Sequence, residues 1–190
     1  ETYYLARTGR YGLVTLTERY GVAPEPEIVL VDTKEMRRKR RMKYDALLSP
    51  QLREAIDSAL AEGRQTILFR NRRGYAPVME CRSCGYVPRC AYCDVSLTYH
   101  RTQHRLVCHY CGRSQPLPVH CPECDSEEWR GLGYGTERVE DEISALYPTV
   151  RVGRLDPDAV RTPRAYRRVL SDFEQGYTQL LVGTQMLTKG

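Results

Sequence analysis

Cys81-Arg82-Ser83-Cys84, Cys90-Ala91-Tyr92-Cys93, Cys108-His109-Tyr110-Cys111 and Cys121-Pro122-Glu123-Cys124 decide how this sequence is read. Together they hold all eight cysteines of a 190-residue chain. A C-x-x-C turn aims two thiolates at one point, and two such turns complete a tetrahedral S4 zinc site. Four pairs make two complete sites with no ligand left over. Disulfides are the competing use, but a disulfide scaffold spreads its cysteines through a small domain. Here they crowd one stretch between long cysteine-free flanks, so two zinc ions in a reducing cytosol are expected.

Spacing also bears on which pairs share a metal. Asp94 to Val107, fourteen residues, separate Cys90/Cys93 from Cys108/Cys111. Within them Ser96–His100 and His104–Val107 read as two strands around Arg101-Thr102-Gln103, the hairpin of a zinc ribbon. The expected arrangement is nested. Cys81, Cys84, Cys121 and Cys124 form zinc site 1, and Cys90, Cys93, Cys108 and Cys111 form zinc site 2. The rival is sequential, Cys81/Cys84 with Cys90/Cys93 and Cys108/Cys111 with Cys121/Cys124. His100, His104, His109 and His120 are spare, and read as surface or supporting histidines. A closed S4 shell has no open position for water, so both zincs are expected to be structural. Zinc deaminase chemistry needs H-x-E, and Thr102, Leu106, Cys111 and Pro122 stand two residues after the four histidines.

Outward from the cysteines, both flanks read as α/β. Ser49-Pro50 is a helix start, an N-cap followed by Pro at the first position. Leu52, Ala55, Ile56, Ala59 and Leu60 then mark one apolar face, and Gly63 ends the helix. Thr66–Phe69 reads as a short buried strand that leaves into the polar loop Asn71-Arg72-Arg73-Gly74-Tyr75. Beyond the cysteines, Thr136 is read as the cap of a helix with the stripe Val139, Ile143 and Leu146. Val150–Val152 reads as a strand, Tyr166, Val169, Leu170 and Phe173 as a helix face, and Gln179–Val182 as a strand entering Gly183-Thr184-Gln185. Alternating strands and helices imply a parallel sheet with covered faces. The cysteine region interrupts that domain between a strand and its helix, so it is expected to emerge at the carboxyl edge, where open α/β sheets bind ligands.

Towards the N-terminus, Tyr3–Ala6 reads as a helix end stopped by Gly9. Gly12–Leu16 and Glu27–Asp32 read as strands. Met36–Lys43 is basic at six of eight positions, either a phosphate-contacting arm or a solvated linker. The composition, 41% hydrophobic and 28% charged, suits a globular protein. No apolar run approaches the ~20 residues of a membrane span, and Glu1-Thr2-Tyr3-Tyr4 does not open like a signal peptide. The net charge of +5 falls to about +1 once eight thiolates enclose two Zn2+ ions, so the total argues little for nucleic acid. The chain, opening without Met and ending at Lys189-Gly190, reads as a fragment of a longer protein.

Ile67–Pro77, which leads straight into the cysteines, resembles helicase motif IV of the bacterial replication-restart family of primosomal protein N′ (PriA). Gly133-Tyr134-Gly135-Thr136-Glu137 resembles that family's G-x-G-T-E segment, and Leu181–Gly190 its motif V. Glu1–Tyr4 and Arg19-Tyr20-Gly21 resemble the segment after motif III. The resemblance implies an α/β fold, a partial RecA-like parallel-sheet helicase lobe 2 interrupted by a small two-zinc ribbon-type insert. It implies residues 1–32 as the end of lobe 1, 33–48 as a basic linker, 49–77 and 130–190 as lobe 2, and 78–129 as the zinc insert. It implies an ATP-dependent 3′–5′ DNA helicase of the bacterial cytoplasm and nucleoid. Forked or D-loop DNA, primosomal proteins and single-strand DNA-binding protein are the implied partners, with no membrane. Gly183, Thr184, Gln185 and Lys189 are expected to contact the DNA backbone and couple it to nucleotide, with Arg72, Arg73 and Tyr75 as a basic–aromatic patch. No G-x-x-x-x-G-K-[ST] loop and no D-E-x-H box occurs here. ATP and Mg2+ are therefore expected only in the full-length protein, and no catalytic residue is assigned. The alternative is a non-enzymatic zinc-ribbon module that binds nucleic acid or protein.

Overall fold

The structure, a computed structural model, describes residues 1–17, 21, 25–43 and 46–188. The chain divides into two units, Glu1–Asp32 and Thr33–Gly190. In the first unit, α1 (Thr2–Arg7) is followed by Gly9 at φ 76°. The expected strands at 12–16 and 27–32 do not form, and the described residues there have no regular structure. Val14, Leu16 and Leu30 are 83%, 87% and 92% exposed. A β-branched run becomes a strand only when another strand takes up its N–H and C=O groups, and among the described residues no strand ladder includes either run.

The second unit opens with α2 (Thr33–Arg38), so the basic run begins inside a helix. Glu35 lies 2.6 Å from Lys39 and 3.9 Å from Arg38, one turn along. Met42 and Leu48 beyond it are buried. Before the cysteines come α3 (Pro50–Ala61) and β1 (Thr66–Phe69). Among them lie β2 (Val78–Cys81), β3 (Thr98–His100), β4 (Arg105–Val107), β5 (Ser114–Pro116) and β6 (Trp129–Leu132). The chain then runs through α4 (Thr136–Leu146), β7 (Val152–Leu155), α5 (Pro163–Glu174), β8 (Leu180–Gly183) and a 3-10 turn, Gln185–Leu187.

β1, β8 and β7 form a wholly parallel sheet in that order, with Phe69 and Leu155 both opposite Gly183. The central strand β8 is buried throughout, as a strand covered on both faces must be. Its period of two divides the core. Leu180 and Val182 pack with Ile56 of α3 and with Val139 and Ile143 of α4, while Leu181 packs with Leu155, Val160 and the Tyr166–Phe173 face of α5. Ser49 caps α3, accepting from Leu52 N–H at 3.1 Å, and Thr162 caps α5, accepting from Ala165 N–H at 3.1 Å. The apolar face of α3 is narrower than its spacing suggests. Ile56 is buried, but Leu52 is 38% exposed because the helix lies over the edge strand β1. α4 departs from expectation at its start: the cap is Gly135, with no side-chain hydrogen bond, and Thr136 is the first helical residue.

The insert has two sheets of its own. β2 pairs with β6, bringing the two ends of the insert together, and β3, β4 and β5 form an antiparallel three-stranded sheet. The hairpin expected from the spacing is β3–β4. β5 is an added polar edge strand whose three residues are all exposed. The insert leaves after β1 and returns at Gly133–Gly135 before α4, at the carboxyl edge of the parallel sheet.

Candidate functional site: the metal centres and the strand-end cleft

Each C-x-x-C stretch folds by the same two backbone hydrogen bonds. The first cysteine's carbonyl accepts from the N–H of the fifth residue: Gly85 to Cys81, Asp94 to Cys90, Gly112 to Cys108 and Asp125 to Cys121. The first cysteine's N–H donates to the sixth residue's carbonyl: Tyr86, Val95, Arg113 and Ser126 respectively. All four fifth residues are left-handed, at φ 79°, 49°, 75° and 59°. Glycine, and to a lesser degree aspartate, enters that region at low cost. The fuller signature is thus C-x-x-C-[GD], a regularity legible in the sequence that cysteine spacing alone misses.

These turns gather Cys81, Cys84, Cys121 and Cys124 into one group and Cys90, Cys93, Cys108 and Cys111 into another, each with its sulfurs within 4.8 Å of one another. The grouping is outer with outer and inner with inner. Cys81–Cys124, Cys84–Cys121 and Cys90–Cys111 have Sγ···Sγ separations of 3.6 Å. All eight thiols are free. Tetrahedral coordination at a Zn–S distance of about 2.3 Å places sulfurs about 3.8 Å apart, so the donor sets fit zinc. The first cysteine of every pair is buried, and the second is exposed or half-exposed.

Charge is unevenly shared among the thiols. The Cys84 N–H favours the Cys81 thiolate and lowers its pKa to about 6. The Cys111 N–H does the same for Cys108, to about 7. Cys84 is pushed up to about 12: the Tyr86 N–H works against this, but burial and the sulfurs of Cys124, Cys121 and Cys81 prevail. Cys93 is pushed up to about 12, first by Cys111 and then by burial. Four thiolates do not share one point without a cation, so metal uptake must expel protons. Of the nearby arginines, Arg89 pairs with Asp94 at 2.9 Å and Arg113 lies 3.7 Å over the Tyr92 ring.

The insert is fastened to the parallel-sheet domain by buried polar groups. The buried Glu137 carboxylate accepts from Arg101 N–H at 2.9 Å and from Thr102 Oγ1 at 2.8 Å, both in the β3–β4 turn. On the same helix start, Glu137 N–H donates to Gly74 O and Gly135 N–H to Tyr75 O. Thr136 Oγ1 donates to buried Asp156. A Cβ on Gly135 would collide with the carbonyls of Gly74 and Arg73, so the G-x-G segment needs glycine for close backbone approach. Among the spare histidines, buried His100 meets His109 with Nε2 atoms 2.9 Å apart, and its Nδ1 lies 3.9 Å from both Glu137 and Asp158. His120 is half-exposed near Asp125 and Glu127.

A cleft of about 550 Å3 opens at the carboxyl ends of the strands, lined by Asn71, Arg72 and Arg73 after β1, Thr184 and Gln185 after β8, and His109 from the insert. Thr184 is buried, and its N–H donates to Leu155 O at 3.2 Å. Gly183 sits at the end of β8 against the Leu155 carbonyl, where a Cβ would meet that oxygen at 2.6 Å. Arg73 lies 4.0 Å from Asp158. Five of the residues singled out in the sequence, Arg72, Arg73, Gly183, Thr184 and Gln185, therefore come to one edge. Tyr75 does not share the cleft lining: it packs edge-on to Tyr99 at 6.5 Å and under Arg101 at 5.2 Å. Lys189 lies outside the described residues.

The sequence profile described as the PriA DNA helicase Cys-rich region (CRR) domain, a zinc ribbon, matches residues 90–116, the inner tetrad and all of the β3–β5 sheet. Similarity to replication restart protein PriA extends over the whole chain. The protein of that name from Bacillus subtilis is 44% identical over 190 residues, 100% of this chain and 23% of the relative. Those from Synechocystis and Rickettsia felis are 41% and 38% identical over 92% and 100% of the chain, which covers 21% and 29% of them. The chain thus spans about a quarter of the length of the curated relatives it matches.

Proposed function

We propose that this chain, homologous along its whole length to part of replication restart protein PriA, supplies the structural zinc module and part of the second motor lobe of an ATP-dependent 3′–5′ DNA helicase. That whole-length similarity carries the reading. In it, residues 49–77 and 130–190 are the RecA-like lobe, 78–129 the insert, 33–48 the basic linker and 1–32 the end of the first lobe. The exposed Val14, Leu16, Ile28 and Leu30 supply apolar surface that a first lobe would bury. Work in replication restart would place it in the bacterial cytoplasm on forked or D-loop DNA, with primosomal proteins and single-strand DNA-binding protein.

In this reading each of the two zinc ions cross-links one cysteine tetrad, and neither takes part in chemistry. The chain's own residues bind and position a strand. Arg72 and Arg73 face phosphate oxygens, Thr184 offers a hydroxyl and a strand-end backbone, and Gln185 and Lys189 follow them. Gly183 lets the β8 end approach β7 closely enough to set Thr184 in the cleft. Nucleotide chemistry, with ATP and Mg2+, falls to the rest of the full-length protein.

Thr184→Ala in the full-length protein tests this. Unwinding and DNA-stimulated ATP hydrolysis are expected to fall together, while zinc content stays at two per chain. Unchanged unwinding rejects the assignment. A purely binding module is the second reading, favoured by the exposed Tyr92 and Tyr110 on the insert. It prevails if the full-length protein binds DNA without hydrolysing ATP.

A further inference from the structure

The basic loop after β1 was paired in the sequence with Tyr75, which turns away to Tyr99 and Arg101. A different aromatic ring stands beside those arginines. Tyr110, the third residue of the Cys108–Cys111 knuckle, is 82% exposed. It lines a groove of about 380 Å3 together with Arg72, Arg73 and His109. The same two arginines and His109 also line the larger strand-end cleft. The groove and the cleft therefore share one wall, and they bring the insert's ring and the sheet domain's guanidinium groups to one place.

We propose that Tyr110 is a nucleobase-stacking residue, and that a single DNA strand runs from it across Arg72 and Arg73 into the Thr184 cleft. The inference rests on the strand-binding reading above and deepens it by giving the zinc insert a direct part in holding the strand. Three observations select this occupant. An exposed phenol ring presents a π-face that any base can cover, and a sequence-tolerant motor needs a contact of that kind. Two guanidinium groups beside the ring match successive phosphates, since a strand alternates base and charge at the same short range. The backbone that carries the ring is also fixed in place: Tyr110 lies between two ligands of the inner tetrad, and its knuckle is closed by the Gly112-to-Cys108 hydrogen bond at 2.9 Å. Zinc, a structural ion, thereby sets the position of a strand contact.

The test uses the full-length protein, fluorescently labelled oligo(dT) and anisotropy over a salt series. Tyr110→Ala is expected to bind about tenfold more weakly, the loss of one stacked base, with an unchanged salt slope. Tyr110→Trp keeps the stacking face and is expected to bind as tightly as the parent. Arg72→Gln with Arg73→Gln is expected to reduce the salt slope by about 1.4, the share of two phosphate contacts on a single strand. Two zincs per chain in every variant exclude a collapsed knuckle. If the double arginine variant weakens binding and Tyr110→Ala does not, the stacking assignment fails alone. If neither affects oligo(dT), the strand-binding reading fails with it. Competition by polyglutamate as effective as by unlabelled oligo(dT) overturns the proposal, because that polymer has the charge without the bases.

Discussion

Asp94 and Asp125 occupy in their knuckles the place that Gly85 and Gly112 occupy in theirs, all four with positive φ. The cysteines announce the metal sites in the sequence. The backbone that aims them depends on this fifth residue, which reads as an ordinary loop residue unless the four knuckles are aligned. A β-branched residue there costs about 1–2 kcal/mol in backbone strain. Gly112→Val is therefore expected to weaken zinc binding at the inner site in chelator competition, while Asp125→Gly is expected to leave the outer site as tight or tighter. Equal affinity in Gly112→Val and the parent would falsify this role. The thiols themselves give a pH prediction. Within the closed tetrads backbone N–H groups hold Cys81 down to about 6 and Cys108 to about 7, whereas Cys84 and Cys93 are pushed up to about 12. The metal-free insert does not keep its tetrads closed, so its thiols return to the ordinary value of about 8.5. Zinc uptake at about pH 6 is therefore expected to release about four protons per site, and at about pH 8.5 about two. Calorimetry in buffers of different ionisation enthalpy measures it, and a release that stays constant between those pH values would show that the thiols are ionised before the metal arrives.

At the scale of elements, the helices were the most legible. Ser49 announces α3 because its hydroxyl accepts an N–H group that a helix start leaves open, whereas α5 is announced by its Tyr166–Phe173 face and its Thr162 cap is found only in the structure. α4 was displaced by one residue because its cap is Gly135, set by crowding against the Gly74 and Arg73 carbonyls, and propensity does not register crowding. β5 is not legible in the sequence because Ser114-Gln115-Pro116 is a polar edge with no alternation to read. The strands expected at 12–16 and 27–32 fail for the opposite reason: the pattern is there, but among the described residues no strand ladder takes it up. Glu137 shows what element-level reading leaves out. Its charge at a helix start is favourable by itself, but its carboxylate is spent on the β3–β4 turn. Glu137→Ala leaves the Arg101 N–H and the Thr102 hydroxyl without that acceptor, a cost of about 1–3 kcal/mol. Hydrogen exchange at the Arg101 amide is expected to accelerate in the variant while α5 keeps its protection. A parent-like rate at Arg101 would show that something else holds the turn.

Over the whole second unit, the apolar clusters fall into two groups that differ in what they need. The clusters on the two faces of the parallel sheet, around Leu180 and Val182 on one side and Leu181 on the other, contain no cysteine. The insert's cluster is built around Ala76, Met79, Leu97 and Leu106, and includes Cys90 and Cys108 themselves. So small a cluster is too little to order about fifty residues unaided, and small domains of this kind lean on their metal. Polar contacts join the insert to the sheet domain: the backbone of Tyr75 and Ala76 against Tyr99, the Glu137 and His100 side chains, and the Arg101–Asp141 ion pair at 2.9 Å. Stripping the metal with a strong chelator under reducing conditions is therefore expected to unfold 78–129 and spare the parallel sheet. Limited proteolysis should then cut within the insert, while the far-UV helical signal, which comes largely from α3, α4 and α5 outside it, persists. Loss of that signal in step with zinc would mean that the insert and the sheet domain fold as one cooperative unit. The polar joint at Glu137 would then transmit stability between them as well as position.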